Sequence, residues 1–111
     1  MNLQDILNQK VLLVVINNSV CTTSTEEQIK EATLSAWKMN TKKASKIEYV
    51  IGLKNGIGVS CYKVDEIQIR KEDGRIIFKS NEDLSNIVKG INFKEMGVRK
   101  GYKEIQYINI D

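Results

Sequence analysis

Ile47-Glu48-Tyr49-Val50-Ile51-Gly52-Leu53-Lys54-Asn55-Gly56-Ile57-Gly58-Val59-Ser60-Cys61-Tyr62-Lys63-Val64 decides the fold. Two runs rich in β-branched and aromatic residues flank Asn55-Gly56. Asn-Gly is the strongest short-range hairpin signal, because both central residues of a type I′ turn need φ > 0. In the first run Ile47, Tyr49, Ile51 and Leu53 alternate with Glu48, Val50, Gly52 and Lys54. The second run keeps Ile57, Val59 and Cys61 on one face, and then the phase changes: Tyr62 and Val64 are apolar, Lys63 and Asp65 are not. Ile67 and Ile69 return to the first phase. A break of this kind predicts a bulge or a sharp bend, the device that carries a strand round a barrel corner.

Downstream, Glu72-Asp73-Gly74 reads as a second turn and Arg75–Lys79 as a returning strand. Ser80 and Asp83 have capping-box spacing and open a short helix with Leu84, Ile87 and Val88, which Gly90 stops. Residues 91–101 are loop-like, and 105–110 alternate as a final strand. Upstream, Leu3–Gln9 forms a short helix, and Val11–Ile16 has no polar alternation, as in a strand covered on both faces. Ser24 and Glu27 are spaced to cap a helix from about Thr25 to Met39. Ile29, Ala32, Thr33, Ala36 and Trp37 share one face of it, and Asn40 serves as its C-terminal cap. The expectation is one α+β domain over residues 1–111: a curled antiparallel sheet or small open β-barrel, one long packed helix, and one or two short ones.

Composition narrows the function classes. With 41% hydrophobic and 28% charged residues over 111 positions, the chain has globular proportions. Its longest apolar run, Val11–Ile16, falls far short of the ~20 residues of a membrane span. Met1-Asn2-Leu3-Gln4-Asp5 carries no basic leader, so a cytoplasmic location without a membrane partner is expected. Two cysteines and no histidine make neither a disulfide framework nor a usual zinc site, and no metal or cofactor is expected. Cys61 reads as a buried small hydrophobe, and Cys21 has no base among Thr22, Thr23 and Ser24.

Charge is uneven along the chain. Lys38, Lys42, Lys43 and Lys46 lie within residues 37–47 with no acid among them, and Lys94, Arg99, Lys100 and Lys103 make a second basic stretch. Met in space, the two would form a phosphate-binding patch; apart, they are a solvated lysine-rich surface. Trp37 beside Lys38, Asn40, Lys42 and Lys43 pairs an aromatic face with polar donors, as in single-strand or base recognition, or else closes the core. Tyr49 has the same ambiguity, and Arg75 is either a bidentate phosphate partner or a surface residue. Asp65-Glu66 and Glu72-Asp73 read as turn acids or as a divalent-ion chelate. Gly56-Ile57-Gly58 opens a strand and not a helix, so it is no nucleotide fingerprint.

In order, Leu12-Leu13-Val14-Val15-Ile16-Asn17, Ala32-Thr33-Leu34-Ser35-Ala36-Trp37-Lys38, Ile47-Glu48-Tyr49-Val50-Ile51-Gly52 with Asn55-Gly56-Ile57, Cys61-Tyr62-Lys63-Val64-Asp65 with Gly74-Arg75-Ile76-Ile77-Phe78, and Tyr107-Ile108-Asn109 form a set. That set resembles a small PUA-like domain family associated with GIY-YIG-type nucleases and with stand-alone phage or bacterial proteins. The resemblance runs from about Val11 to the end and implies a PUA- or ASCH-like barrel that binds RNA, modified bases or nucleotides. Leu34 stands where the family pattern has Arg, Lys103-Glu104 stand where it has Asn-Pro, and the ASCH-type Gly-x-Lys-x-x-Glu-x-Arg motif is absent.

The residues and the resemblance together lead to a non-enzymatic binding module for nucleic acid or a nucleotide-sized ligand, with no catalytic residue assigned. The expected contacts are Trp37, Lys38, Asn40, Lys42, Lys43, Tyr49, Arg75, Arg99 and Lys100. The alternative is a protein-interaction or inhibitor protein of mobile-element origin, with a homodimer among its forms; a metal-dependent enzyme using the acidic turns is the third reading.

Overall fold

The computed structural model describes residues 1–16, 24–35, 37–93 and 105–110. In chain order its elements are α1 (Leu3–Leu7), β1 (Val11–Val15), α2 (Glu26–Leu34), α3 (Thr41–Ala44), β2 (Tyr49–Lys54) and β3 (Ile57–Lys63). There follow β4 (Glu66–Ile69), β5 (Ile76–Lys79), β6 (Glu82–Asp83), α4 (Ser85–Val88) and β7 (Ile105–Ile108). The class is α+β, mostly sheet with a few short helices, in a compact body of 12.8 Å radius of gyration.

The Asn-Gly turn forms as the sequence requires. Asn55 and Gly56 both sit at positive φ (54° and 81°), and β2 pairs antiparallel with β3 across them. The bulge is also present, but earlier than the alternation suggests. Gly52 pairs with Ser60 and Leu53 with Gly58, so Val59 is the extra residue. The bend comes at Val64–Asp65, where the chain changes sheets. Val64 N donates to Glu48 O (2.8 Å) in the main sheet, and Asp65 N donates to Lys79 O (2.9 Å) in a separate two-stranded ribbon, β4–β5.

That transfer produces an open architecture instead of a barrel. The main sheet runs β6-β3-β2-β1-β7, its two edges are not joined, and it is mixed: β1 and β2 are parallel, the other pairs antiparallel. The wholly antiparallel sheet expected from the sequence is therefore corrected. A parallel neighbour needs a long crossover, and α2, Trp37 and α3 lie on the one between β1 and β2.

The helix expected to reach Met39 ends at Leu34. Ser35 is already extended (φ −143°, ψ 152°), and its N–H donates the last intrahelical bond, to Glu31 O (3.0 Å). Trp37 then pairs with Ile76 instead of continuing the helix. At the other end Thr25 and Gln28, one residue on from the expected pair, form the capping box: Thr25 Oγ1 accepts from Gln28 N (3.1 Å), and Gln28 Oε1 accepts from Thr25 N (2.9 Å).

β1 is buried on both faces, as its unbroken apolar run demands. Leu12, Val14 and Ile16 join Val50 and Tyr62 in a core under α2, α3 and the ribbon, where Ile76 and Phe78 complete it. Val11 and Leu13 join Tyr49, Ile51, Leu53 and Cys61 in a second core on the opposite face, closed by Ile6, Val88 and Phe93. One polar link crosses the first core. Thr33 and Ser60 hydroxyls lie 2.6 Å apart, and since the Thr33 proton goes to Ile29 O (2.7 Å), Ser60 donates between them.

The expected helix after Ser80 starts later, at Ser85, with Asp83 Oδ1 accepting from Ser85 N (2.8 Å). Gly90 ends that segment at φ 80°. Asn109, at φ 61°, ties the end of the chain to its start: its Nδ2 donates to Leu7 O (2.9 Å) and Gln9 O (2.8 Å), supplying partners to carbonyls at the end of α1.

Candidate nucleic-acid interface

The segment between α2 and β2 is held at both ends, which fixes where its lysines stand. Trp37 exchanges two backbone hydrogen bonds with Ile76 (Trp37 N to Ile76 O, 2.9 Å; Ile76 N to Trp37 O, 2.8 Å). Its indole Nε1 donates to Thr33 O (2.9 Å), capping a carbonyl near the end of α2. The ring is half-buried and packs on the α2-side core. The sequence left Trp37 between core and platform; these three bonds make it a tie between helix, ribbon and crossover.

Asn40, expected to end one helix, begins another. Its Oδ1 accepts from Lys42 N (2.8 Å) and Lys43 N (3.3 Å), the N-cap of α3. That oxygen is thus committed to the fold. The cap turns the four-residue α3 so that Ala44 is buried while Lys42 and Lys46 are exposed and Lys43 is half-buried. Lys38 is exposed just past the Trp37 bridge. Because that bridge is antiparallel, Lys38 leaves it in the register of Arg75, which enters it on the facing strand.

Lys43 reaches across to the last strand. Its Nζ lies 4.7 Å from the centre of the Tyr107 ring, a cation–π distance. Tyr107 and Ile105 pack on the same core as Trp37. The 37–46 segment and β7 therefore stand on one side of the molecule. The second basic stretch, with Arg99 and Lys100, lies outside the described residues.

Of the other expected contacts, one sits elsewhere and one is engaged by an acid. Tyr49 is buried in the opposite core, and burial pushes its hydroxyl above its ordinary range, with nearby Lys63 acting against that. Arg75 belongs to the ribbon turn: its Nε lies 3.3 Å from Asp73 Oδ2. Arg70 grips the same carboxylate through Nε (3.0 Å to Oδ1) and Nη2. Those hydrogen bonds hold the Asp73 carboxyl down at about 2.

One acid of each acidic pair is occupied as well. Asp65 Oδ2 accepts from Asn81 N (2.6 Å), which fixes the bend, and Asp73 closes the turn. Among the described residues no three Cys, Asp or Glu side chains gather as a metal site. Burial, with Asp83 nearby, pushes the Cys61 thiol up to about 12, so it stays protonated. Cys21 lies outside the described residues.

A groove of about 380 Å³ runs between α2 and β5, lined by Glu27, Lys30, Glu31, Lys79 and Ser80 among others. Lys30 Nζ donates to Ser80 O (3.0 Å) across it and stands 6.0 Å from the Tyr62 ring. Acids and lysines alternate along this groove, so it has no single charge preference. The sequence did not single it out, because helix and strand meet there only through the ribbon's return.

Gly58, part of the discounted Gly-Ile-Gly, has a packing role. Its N donates to Ile91 O (2.9 Å) and its O accepts from Gly90 N (3.1 Å), and a Cβ there would collide with Val88 O. No helix of the described chain is long and apolar enough to cross a membrane. No protein-family model matches the chain, and neither a curated protein nor a solved structure matches it.

Proposed function

We propose that this protein binds nucleic acid or a nucleotide-sized phosphate ligand on the face formed by Lys38, α3 and β7. The observation that carries the reading is the set of Lys38, Lys42 and Lys46, exposed on a capped segment without acids, with Lys43 seated on Tyr107 beside them. Several lysines fixed on one rigid turn concentrate positive potential, and phosphate neutralisation follows with release of counterions. Arg75 stands at the margin of that face through the Trp37–Ile76 bridge. Trp37 and Asn40 serve by holding the lysines in place. The PUA- or ASCH-like character suggested by the sequence pattern belongs to this same reading, as does a phage or mobile-element setting.

Fluorescence anisotropy with short labelled single- and double-stranded oligonucleotides at low salt tests it. Affinity that falls steeply with salt and is lost in Lys38→Glu/Lys42→Glu/Lys43→Glu supports the reading. Absence of binding at low salt, or binding indifferent to both salt and these changes, removes it and leaves docking on another protein as the account.

A further inference from the structure

Among the described residues the short β4 edge of the β4–β5 ribbon has no strand partner. Arg70 N donates to Arg75 O (2.8 Å), which fixes the phase of the ladder. Bonded and non-bonded pairs alternate in an antiparallel ribbon, so Glu66, Gln68 and Arg70 turn their backbone groups to β5, and Ile67 and Ile69 turn theirs outward. Among the described residues nothing bonds the main chain of Ile67 or Ile69 on that side. Ile69 is 50% exposed, which is rare among the described residues, where Met1 is the other large hydrophobic so open to water. Edge strands are commonly blunted by shortness, charge, proline or a bulge; Glu66–Ile69 is short and carries one acid, but has no lysine, proline or bulge.

We propose that β4 pairs edge to edge with β4 of a second copy, about a two-fold axis at Gln68, so that Glu66 of each copy faces Arg70 of the other. The strand Glu66-Ile67-Gln68-Ile69-Arg70 is complementary to itself read backwards. In this register Ile67 of one copy and Ile69 of the other form a bonded pair at each end, giving four new backbone hydrogen bonds. Ile69 is then covered by Ile67 on the shared face. Gln68 meets Gln68 of the other copy in the close pair between the two bonded pairs, and Glu66 and Arg70 form the close pair just outside each end.

Other registers are disfavoured. An axis midway between two residues puts bonded groups out of phase, and an axis at Ile67 or Ile69 keeps the phase but gives up the Glu66–Arg70 pairing. An axis at Glu66 or Arg70 sets like charges directly opposite, which destabilises cross-strand pairs. Arg70 remains able to serve Glu66, because Asp73 engages two of its five N–H donors. The assembly closes at two copies, since an isologous contact uses the edge up and the far side of β5 is already bridged by Trp37. An interface this short gives a weak dimer.

Sedimentation equilibrium of the full chain from about 10 μM to about 1 mM tests the proposal, a range suited to a weak interface. The wild type should show a reversible monomer–dimer equilibrium. Glu66→Arg should weaken it about tenfold, Glu66→Arg/Arg70→Glu should restore it, and Ile69→Lys should abolish it. Far-UV circular dichroism of each variant must match the wild type, and a charge reversal that unfolds the ribbon is replaced by Glu66→Lys. A monomer throughout, or a dimer that ignores Ile69→Lys and both charge changes, overturns it.

Discussion

Trp37 and Ile76 exchange both of their facing backbone hydrogen bonds, so a residue midway along the long crossover is also tied to the β4–β5 ribbon as a neighbouring strand would be. With the indole N–H held by Thr33 O, Trp37 ties α2 and the segment after it to the ribbon. The basic segment begins at the next residue. Its position therefore depends on a β-bridge, not on a helix running into it.

Trp37→Phe keeps the ring volume near the core and removes the bond to Thr33 O. Urea unfolding should show a loss of about 1 kcal/mol, the worth of one partly buried hydrogen bond. Oligonucleotide affinity should stay within about twofold, less than 1 kcal/mol. A drop of tenfold or more, with stability unchanged, would make Trp37 a stacking platform after all.

Gly52→Ala and Gly58→Ala should both destabilise by about 2 kcal/mol, as overpacking does, but only one should be rescued by trimming a neighbour. At Gly52 the added methyl meets the Ser60 hydroxyl, with Thr33 Oγ1 at 2.9 Å, so Gly52→Ala/Ser60→Ala should recover part of the loss. At Gly58 it meets the Val88 carbonyl, a main-chain atom that no side-chain deletion moves. Chemical denaturation of the single and double variants reads the difference.

The Cys61 thiol, pushed up to about 12 by burial, should resist a thiol-specific reagent. In a Cys21→Ser background at pH 8, native protein should label at least about 100-fold more slowly than protein in denaturant, in line with the smaller thiolate fraction. Equal rates would show that the core around Cys61 is open.

Asp73 should titrate at about 2, held low by the hydrogen bonds from Arg70 and then from Arg75 N. A lowered carboxyl favours the folded turn above its unfolded pKa, near 3.8, and that contribution drains away as pH falls toward 2. Carboxyl carbon shifts of Asp73 followed from pH 6 to pH 1.5 should give that midpoint, whereas a value near 4 would place the guanidinium away from it.

The parts legible in the sequence were those set by local chemistry. The Asn55-Gly56 hairpin needs two positive φ angles, and β1 needs only an apolar run. What escaped was decided by distant partners. Trp37 continues the apolar face of a helix on paper, but Ile76 captures its backbone. Asn40 reads equally well as an end or a start until Lys42 N and Lys43 N are seen to use it. Tyr49 alternates correctly, yet alternation does not say which face meets the lysines. The parallel pairing of β1 with β2 left only the unbroken apolar run of β1, which speaks of burial and not of the partner's direction. Arg99 and Lys100 lie outside the described residues, so the lysine face rests on its α3 half.

The central claim is that phosphate binds beside α3. It is tested most directly by ¹H–¹⁵N shift mapping of the full chain titrated with a short single-stranded oligonucleotide at low salt. The account predicts saturable shifts at the amides of Lys38, Lys42, Lys43, Lys46 and Tyr107 that fade as salt is added. Unmoved amides there, with shifts confined to α1 and α4 on the opposite face or with no shifts anywhere, would contradict it.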